Sequence, residues 1–585
     1  MTEKLFNDFP PVTTQQWEDQ IEKDLKGADY EKRLVWKTPD GLKVRPYYRE
    51  EDVKELSHRV RTKENNNWLT RQTFVVADNP VETNRLVLDA LNRGVESVGF
   101  RLQEDRVLSV EEMAVLFDGV CAPAVEVSFE GMTCAQPGTF YSFLAYLDSL
   151  GTEKQEVRAR FSFDPIGDAF FKETQYVEEH LVTLAELVQA ADTYQGIRIV
   201  AVPGYKWQNM GSGVVQELAC SIALAQEYKD VLMANGISGE DAVGTLHFHM
   251  GIGLHYFLEM AKFRAARALW EERTAQDMSI HAVTSFWDQT GYDMYVNLLR
   301  GTTGAMSAAI AGVDSMEVLP FDSVLTNNGT DQSSRLARNI QIVLKEEAGF
   351  NKVVDPAAGS YYVENLTASI LAEAGKMSEE ILAKGGFREA EASEWVREQI
   401  KATRERRLQG LASGRQVVVG INKYPDPLGK APEGLNALPE EKWQRASADF
   451  EKMRLKTEQA EKVPVVFLLT FGNLTMCRAR AQFASNFFGV AGFKVVDNNR
   501  FASVEEGIAA AQASGADIVV ACSSDEEYAQ AVPEIHKALS KQAVVTVAGE
   551  PACKEDLMAA GITHFIGVRS NLLETLLHYQ KELGL

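Results

Sequence analysis

The sequence predicts an α/β protein of two domains, a (β/α)8 TIM barrel followed by a C-terminal flavodoxin-like, doubly wound domain. Three observations predict it. Eight short β-branched or aromatic segments alternate with helix-like segments from about residue 70 to about residue 320, the pattern of a parallel barrel closed by crossover helices. Five more short apolar strands, separated by helical stretches, run from Val465 to Ile566, as in an open doubly wound sheet. A chain of 585 residues is also longer than one hydrophobic core serves.

Taken in order, residues 1–50 read as an arm. Thr13 followed by Gln16 is a capping-box signature, and Trp17, Ile21 and Leu25 then share one side of a short helix that needs a surface to lie on. Thr38-Pro39-Asp40-Gly41 reads as a tight turn. Residues 51–404 are assigned to the barrel, with strands expected at 72–77, 96–102, 124–129, 157–163, 197–202, 245–250, 280–285 and 315–319. Between them lie helices such as 254–270, where Leu254, Phe257, Leu258, Ala261, Ala265 and Leu269 share a face. A second helix is read from Val214, Leu218, Ile222 and Ala225, with Glu227, Lys229 and Asp230 expected to point away from the buried face. Residues 405–462, interrupted by Pro425, Pro427, Pro432 and Pro439, read as a linker, and 463–585 as the second domain.

Composition narrows the function. Acidic residues outnumber basic ones 83 to 60, a net charge of −23, and no basic cluster is interleaved with aromatics, which argues against a nucleic-acid partner. No apolar run is long enough to span a bilayer and no secretory signal opens the chain, so no membrane association is expected. Six scattered cysteines without zinc spacing are expected to be reduced thiols in a cytoplasm. No metal site is expected from them.

The stretch Gly196–Gly213 hands a strand to a helix, which in a barrel is the face where chemistry is done. Tyr205-Lys206-Trp207-Gln208-Asn209-Met210-Gly211 resembles the Tyr-His-Met-Gln-Glu-Ala-Gly turn of the methylmalonyl-CoA mutase family, adenosylcobalamin enzymes that move a thioester group between neighbouring carbons. Ala337-Arg338-Asn339-Ile340-Gln341 and Asp355-Pro356-Ala357-Ala358-Gly359-Ser360-Tyr361-Tyr362 are similar to two further family segments. The resemblance implies a whole mutase subunit, with an N-terminal segment that wraps a neighbouring chain.

The resemblance also marks positions where this sequence departs from the family. Lys206 stands where a histidine would polarise the thioester carbonyl, between the retained Tyr205 and Gln208. His281 matches a family histidine, but its arginine and glutamine neighbours are missing. A segment that lines the acyl-CoA path is absent where the chain passes from Val60-Arg61-Thr62-Lys63-Glu64 to Trp68. In the second domain the cobalt-ligating Asp-Xaa-His-Xaa-Xaa-Gly becomes Leu474, Met476 and Ala479. A thioether lacks the basicity of imidazole, and leucine cannot orient a ring. Ala548-Gly549-Glu550-Pro551 and Gly567-Val568-Arg569-Ser570 likewise replace glycine-rich family loops. Phe161, Phe248 and Phe286 are candidates to fill the barrel centre, with the side each ring faces left open.

What this implies is the non-catalytic small (beta) subunit of a heterodimeric mutase. Such a chain has no catalytic or cofactor-binding residues of its own and pairs with a catalytic large (alpha) subunit that holds adenosylcobalamin. The alternative is a competent acyl-CoA mutase with divergent ligands, in which Lys206 replaces the histidine.

Overall fold

The computed structural model describes residues 11–54, 56, 63–103 and 106–585. The first ten residues and Val60, Arg61 and Thr62, all used in the sequence reading, lie outside the described residues.

The arm begins with α1, Thr14–Leu25, capped as expected by the Thr13–Gln16 box. None of its residues is buried. Trp17 remains 48% exposed and its ring sits 5.4 Å from that of Tyr47. Tyr47 donates to Glu18, and Arg49 donates to the Val12 carbonyl at 2.7 Å. Among the described residues the helix is held by the following segment, with Ile21 and Leu25 half-buried and Trp17 exposed.

The barrel strands are β1 Leu69–Val75, β2 Ser97–Arg101, β3 Glu126–Glu130, β4 Ala159–Phe163, β5 Ile197–Val202, β6 Leu246–Ile252, β7 Ile280–Thr284 and β8 Ser315–Glu317. All neighbours are parallel, and β8 closes on β1 through Ser315 opposite Leu69. Seven of these overlap their expected spans to within two residues at each end; β1 begins three residues earlier than expected. The apolar run Phe74-Val75-Val76 drew the sequence reading forward, whereas the strand begins on Leu69-Thr70-Arg71, whose polar members are also buried.

Outward-facing residues join the barrel to its helices. Phe161 stacks on Phe129 at 5.2 Å and meets Phe140, in the helix Gly138–Leu150, at 5.0 Å. Phe248 meets Trp270, in the helix Tyr256–Thr274, at 5.0 Å. These two rings do not fill the barrel centre, and Phe286 lies beyond β7 at the mouth. The interior is polar instead. Arg71 and Arg160 grip Glu126 from two sides at 2.7 and 3.2 Å, and the Ser97 hydroxyl donates to the same carboxylate at 2.9 Å. Burial pushes the Glu126 carboxyl up, but Arg160 and Arg71 outweigh it and hold it below the ordinary range. This ion-paired layer forms the barrel floor.

Three helices layer one flank: α2, Val214–Ala234; α3, Tyr256–Thr274; and α4, Tyr361–Ala383, which covers both others. Because α2 is covered on two sides, Glu227 is buried rather than solvated, its carboxylate seated against Gly386. The expected outward direction of Glu227 is corrected by that second layer. Arg264 in α3 fixes the loop before α4, bonding Asp355 at 3.1 Å and Glu364 at 2.8 Å.

The second domain is a five-stranded parallel sheet of β9 Val465–Thr470, β10 Lys494–Val496, β11 Ile518–Cys522, β12 Val544–Ala548 and β13 His564–Ile566. Its order is β10-β9-β11-β12-β13, the flavodoxin order. The segment between the domains is ordered by burial. Leu411, Val418, Ile421, Leu435 and Phe450 share a core with Trp287 and Val324 of the barrel loops and with Val466 and Phe488 of the second domain. Arg445 and Glu451, both fully buried, pair at 2.7 Å, and Glu451 accepts the Gly291 amide at 2.8 Å. Among the described residues, no helix is long and apolar enough to cross a membrane.

Candidate functional site

Strand β5 ends at Val202, and past Pro203 the chain turns at once into the short helix Gly204–Asn209 at the carboxyl end of the barrel. Trp207 anchors this turn, fully buried and 5.2 Å from Phe171. With the indole inward, Tyr205, Lys206 and Gln208 take different directions. Lys206 Nζ reaches Asp168 Oδ1 at 3.2 Å and lies 5.0 Å from the Phe171 ring. Burial works against its charge, but Tyr205 and Asp168 outweigh burial and raise its pKa, so the side chain stays an ammonium. Gln208 is buried over β6, where a Cβ on Gly251 would meet its Oε1 at 1.8 Å. Only glycine admits that approach. Asn209 Oδ1 accepts the amides of Phe286 and Trp287, each at 3.1 Å, and ties the turn to the loop after β7.

A cavity of about 300 Å³ opens at this mouth, lined by Arg101, Glu130, Tyr205, His249, His281 and Glu317 among others. Arg101 holds Glu130 at 2.9 Å. Burial pushes the Glu130 carboxyl up, and the Arg101 guanidinium outweighs it and holds the carboxyl below the usual range. Glu317 moves the other way, raised first by burial and then by Glu130, although Thr73 donates to it through both its amide and its hydroxyl. His249 is pushed down to about 4, chiefly by burial, and its Nε2 has no partner. His281 is also lowered by burial and by Arg71, with Nδ1 2.9 Å from Ser315 Oγ. The cavity thus offers one ion pair, an acid with raised pKa and two neutral imidazoles. From the linker, Lys442 lies 5.1 Å from the Phe286 ring at the rim and donates to Ser323 O at 3.1 Å.

Of the four barrel positions marked in the sequence, Tyr205 and His281 line the cavity together. Lys206 is turned to Asp168 and Gln208 to the strand backbone. Sequence reasoning missed Arg101, Glu130, His249 and Glu317. Their signal was polar residues at every second position of buried strands, as in Glu126-Val-Ser-Phe-Glu130 and His247-Phe-His249.

At the carboxyl edge of the second sheet, Asn473 caps the helix Leu474–Val490, its Oδ1 accepting the Met476 amide at 3.1 Å. Leu474 and Met476 are 57% and 36% exposed on its first turn, with Ala479 also exposed. Gly472, at φ 68°, lies against the Glu527 carboxylate, which would clash with any Cβ there. Arg480 binds Asp525 at 2.9 Å and its guanidinium covers Gly549, while Glu550 pairs with Arg569. The three histidines of this domain lie elsewhere: His564 opens β13, His578 is in the last helix and His536 lines a cleft near the amino ends of the strands. The edge presents thioether, guanidinium and carboxylate groups, a donor set that does not fit a cobalamin held through a protein imidazole.

A model of the family described as Methylmalonyl-CoA mutase matches residues 105–467, which take in six of the eight barrel strands and reach the first strand of the second sheet. The chain belongs to the methylmalonyl-CoA mutase family. A protein named methylmalonyl-CoA mutase small subunit from Porphyromonas gingivalis is 40% identical over 100% of this chain and 99% of its own length. The small subunit of Propionibacterium freudenreichii subsp. shermanii is 30% identical over 92% of this chain and 89% of that one. A Rhizobium meliloti protein named simply methylmalonyl-CoA mutase is 30% identical over 72% of this chain and 64% of its own. Similarity to the small subunits of the mutase family therefore runs through both domains and the segment joining them.

Proposed function

We propose that this chain is the non-catalytic subunit of a heterodimeric adenosylcobalamin-dependent methylmalonyl-CoA mutase. The interconversion of methylmalonyl-CoA and succinyl-CoA takes place on a catalytic large subunit, and this chain is its structural partner in the cytoplasm. The observation that carries the reading is the carboxyl edge of the second sheet, where Leu474, Met476 and Ala479 stand on an exposed helical turn without an imidazole. The barrel supports it independently. Lys206, at the place of the family histidine, is held by Asp168 as a charged group and does not line the mouth cavity. The arm, residues 1–50, supplies the contact to the partner through α1 and its exposed Trp17. Positions Tyr205, Lys206, Gln208 and His281 are inherited from an active ancestor and carry no turnover.

The test is co-expression with a candidate large subunit, followed by size exclusion and mutase assay of each chain apart and together with added adenosylcobalamin. The expected result is a heterodimer whose corrinoid travels with the large subunit and whose turnover requires it. Turnover by this chain alone overturns the reading.

A further inference from the structure

The edge strand β13 contributes His564, and the last helix, Leu572–Glu582, contributes His578 and Glu582, four residues apart on one face. His564 Nε2 lies 3.4 Å from Glu582 Oε1, and His578 Nε2 lies 3.9 Å from Glu582 Oε2. One ligand atom from each of the three falls within 4.8 Å of the others. Donors bound at 2.0–2.1 Å to a tetrahedral zinc lie about 3.3 Å apart, so the three groups need only small side-chain adjustments to enclose one ion. We propose that His564, His578 and Glu582 form a three-ligand site for a divalent transition-metal ion of the zinc type.

Two further features agree. The ligands from the helix lie in its last turns, where unpaired carbonyls favour a cation. The cleft beside them, about 410 Å³ and lined by Asp517, His536, His564 and Glu582, admits water to a fourth coordination position. A bound ion would clasp the final helix to a strand of only three residues at the sheet edge. The site is remote from the carboxyl edge of this sheet, so the proposal does not depend on the reading of the mutase positions.

The full chain, stripped with chelator, is titrated with zinc chloride by calorimetry, and with cobalt(II) to record visible d–d absorption. One saturable site is expected, with the intense bands of tetrahedral cobalt. His578→Ala and Glu582→Gln, both at exposed positions, should each weaken zinc at least about tenfold, while His180→Ala leaves it unchanged. Zinc should slow hydrogen exchange in the last helix of the parent chain and not of His578→Ala. Absence of saturable binding, or affinity undiminished in the two ligand variants, overturns the proposal.

Discussion

Lys206 Nζ lies 3.2 Å from Asp168 Oδ1, an ion pair on the turn after the fifth barrel strand. Both side chains remain about a third exposed, at 32% and 28%, so the pair contributes only about 0–1 kcal/mol to stability. Its consequence is directional: the ammonium is pointed at a carboxylate and away from the cavity. Lys206→Ala is expected to leave stability within about 1 kcal/mol in urea unfolding. It should also leave heterodimer turnover within twofold of the parent, and Lys206→His should add no turnover to the chain alone. A large loss of heterodimer activity in Lys206→Ala would place this residue in the chemistry.

Asp164, next to this pair, should give the barrel a distinct pH response. Burial raises its pKa to about 8 despite Lys206, and its Oδ2 has no partner while Oδ1 accepts from the Tyr228 hydroxyl and the Gly167 amide. In the unfolded chain the group titrates near its ordinary value. Between the two values the folded state binds the extra proton, so this contribution to stability is present at low pH and is lost as pH rises toward 8. The loss is at most about 1.4 kcal/mol per pH unit. Asp164→Asn, which keeps the acceptor at Oδ1, should flatten that slope. Parallel urea midpoints of parent and variant between pH 6 and pH 9 would refute the assignment.

The barrel floor predicts a large effect from one carboxylate. Glu126→Gln leaves Arg71 and Arg160 buried without a counter-ion and is expected to cost about 3–5 kcal/mol, read from urea unfolding followed by circular dichroism. The same carboxylate in the parent has a depressed pKa. Its stabilisation is therefore present above the ordinary carboxyl range and is lost as pH falls through the folded value. A cost below about 1 kcal/mol would mean water reaches this layer and supports the arginines.

The floor also shows how much of the molecule was legible in its sequence. Strand–helix alternation located all eight barrel strands, because a parallel strand buried on both sides leaves a dense apolar signature. What that signature concealed was the inward face. In Glu126-Val127-Ser128-Phe129-Glu130 the outward rings and methyls dominate any hydropathy reading, while the charged residues between them form the floor and the cavity wall. Phe161 and Phe248 were readable as strand residues, but their facing is set by which helices lie outside, and Phe140 and Trp270 are distant in sequence. The buried Glu227 was hidden for the same reason, since no local period announces the second helical layer of α4. Leu474, Met476 and Ala479 were legible only as positions of a resembled loop motif, whereas the structure sets them on the first turns of the helix that Asn473 caps.

Restoring the imidazole in the second domain is not expected to restore cofactor binding. Met476→His puts a ring on an exposed helical turn with Leu474 where an orienting carboxylate would be needed. The carboxyl edge around it is occupied by the Glu527 side chain at Gly472 and by Arg480 over Gly549. Gel filtration of the variant with adenosylcobalamin should give a protein peak without corrinoid absorbance. A stoichiometric corrinoid band travelling with the single substitution would show that the edge is already shaped for the cofactor.

Association with a second chain should depend on α1 and not on its contribution to this fold. The helix buries none of its own residues, and its indole lies 5.4 Å from the ring of Tyr47 in the same arm. Removing an aromatic with this exposure costs the isolated chain little, whereas burying it at an interface makes it the residue type that most often dominates binding. Trp17→Ala should leave the thermal midpoint of the single chain unchanged and weaken heterodimer formation by about 2 kcal/mol or more, roughly thirtyfold in dissociation constant, by analytical ultracentrifugation. If α1 instead closes on its own barrel in solution, the ranking reverses, and the substitution lowers the midpoint of the single chain while the heterodimer assembles as before.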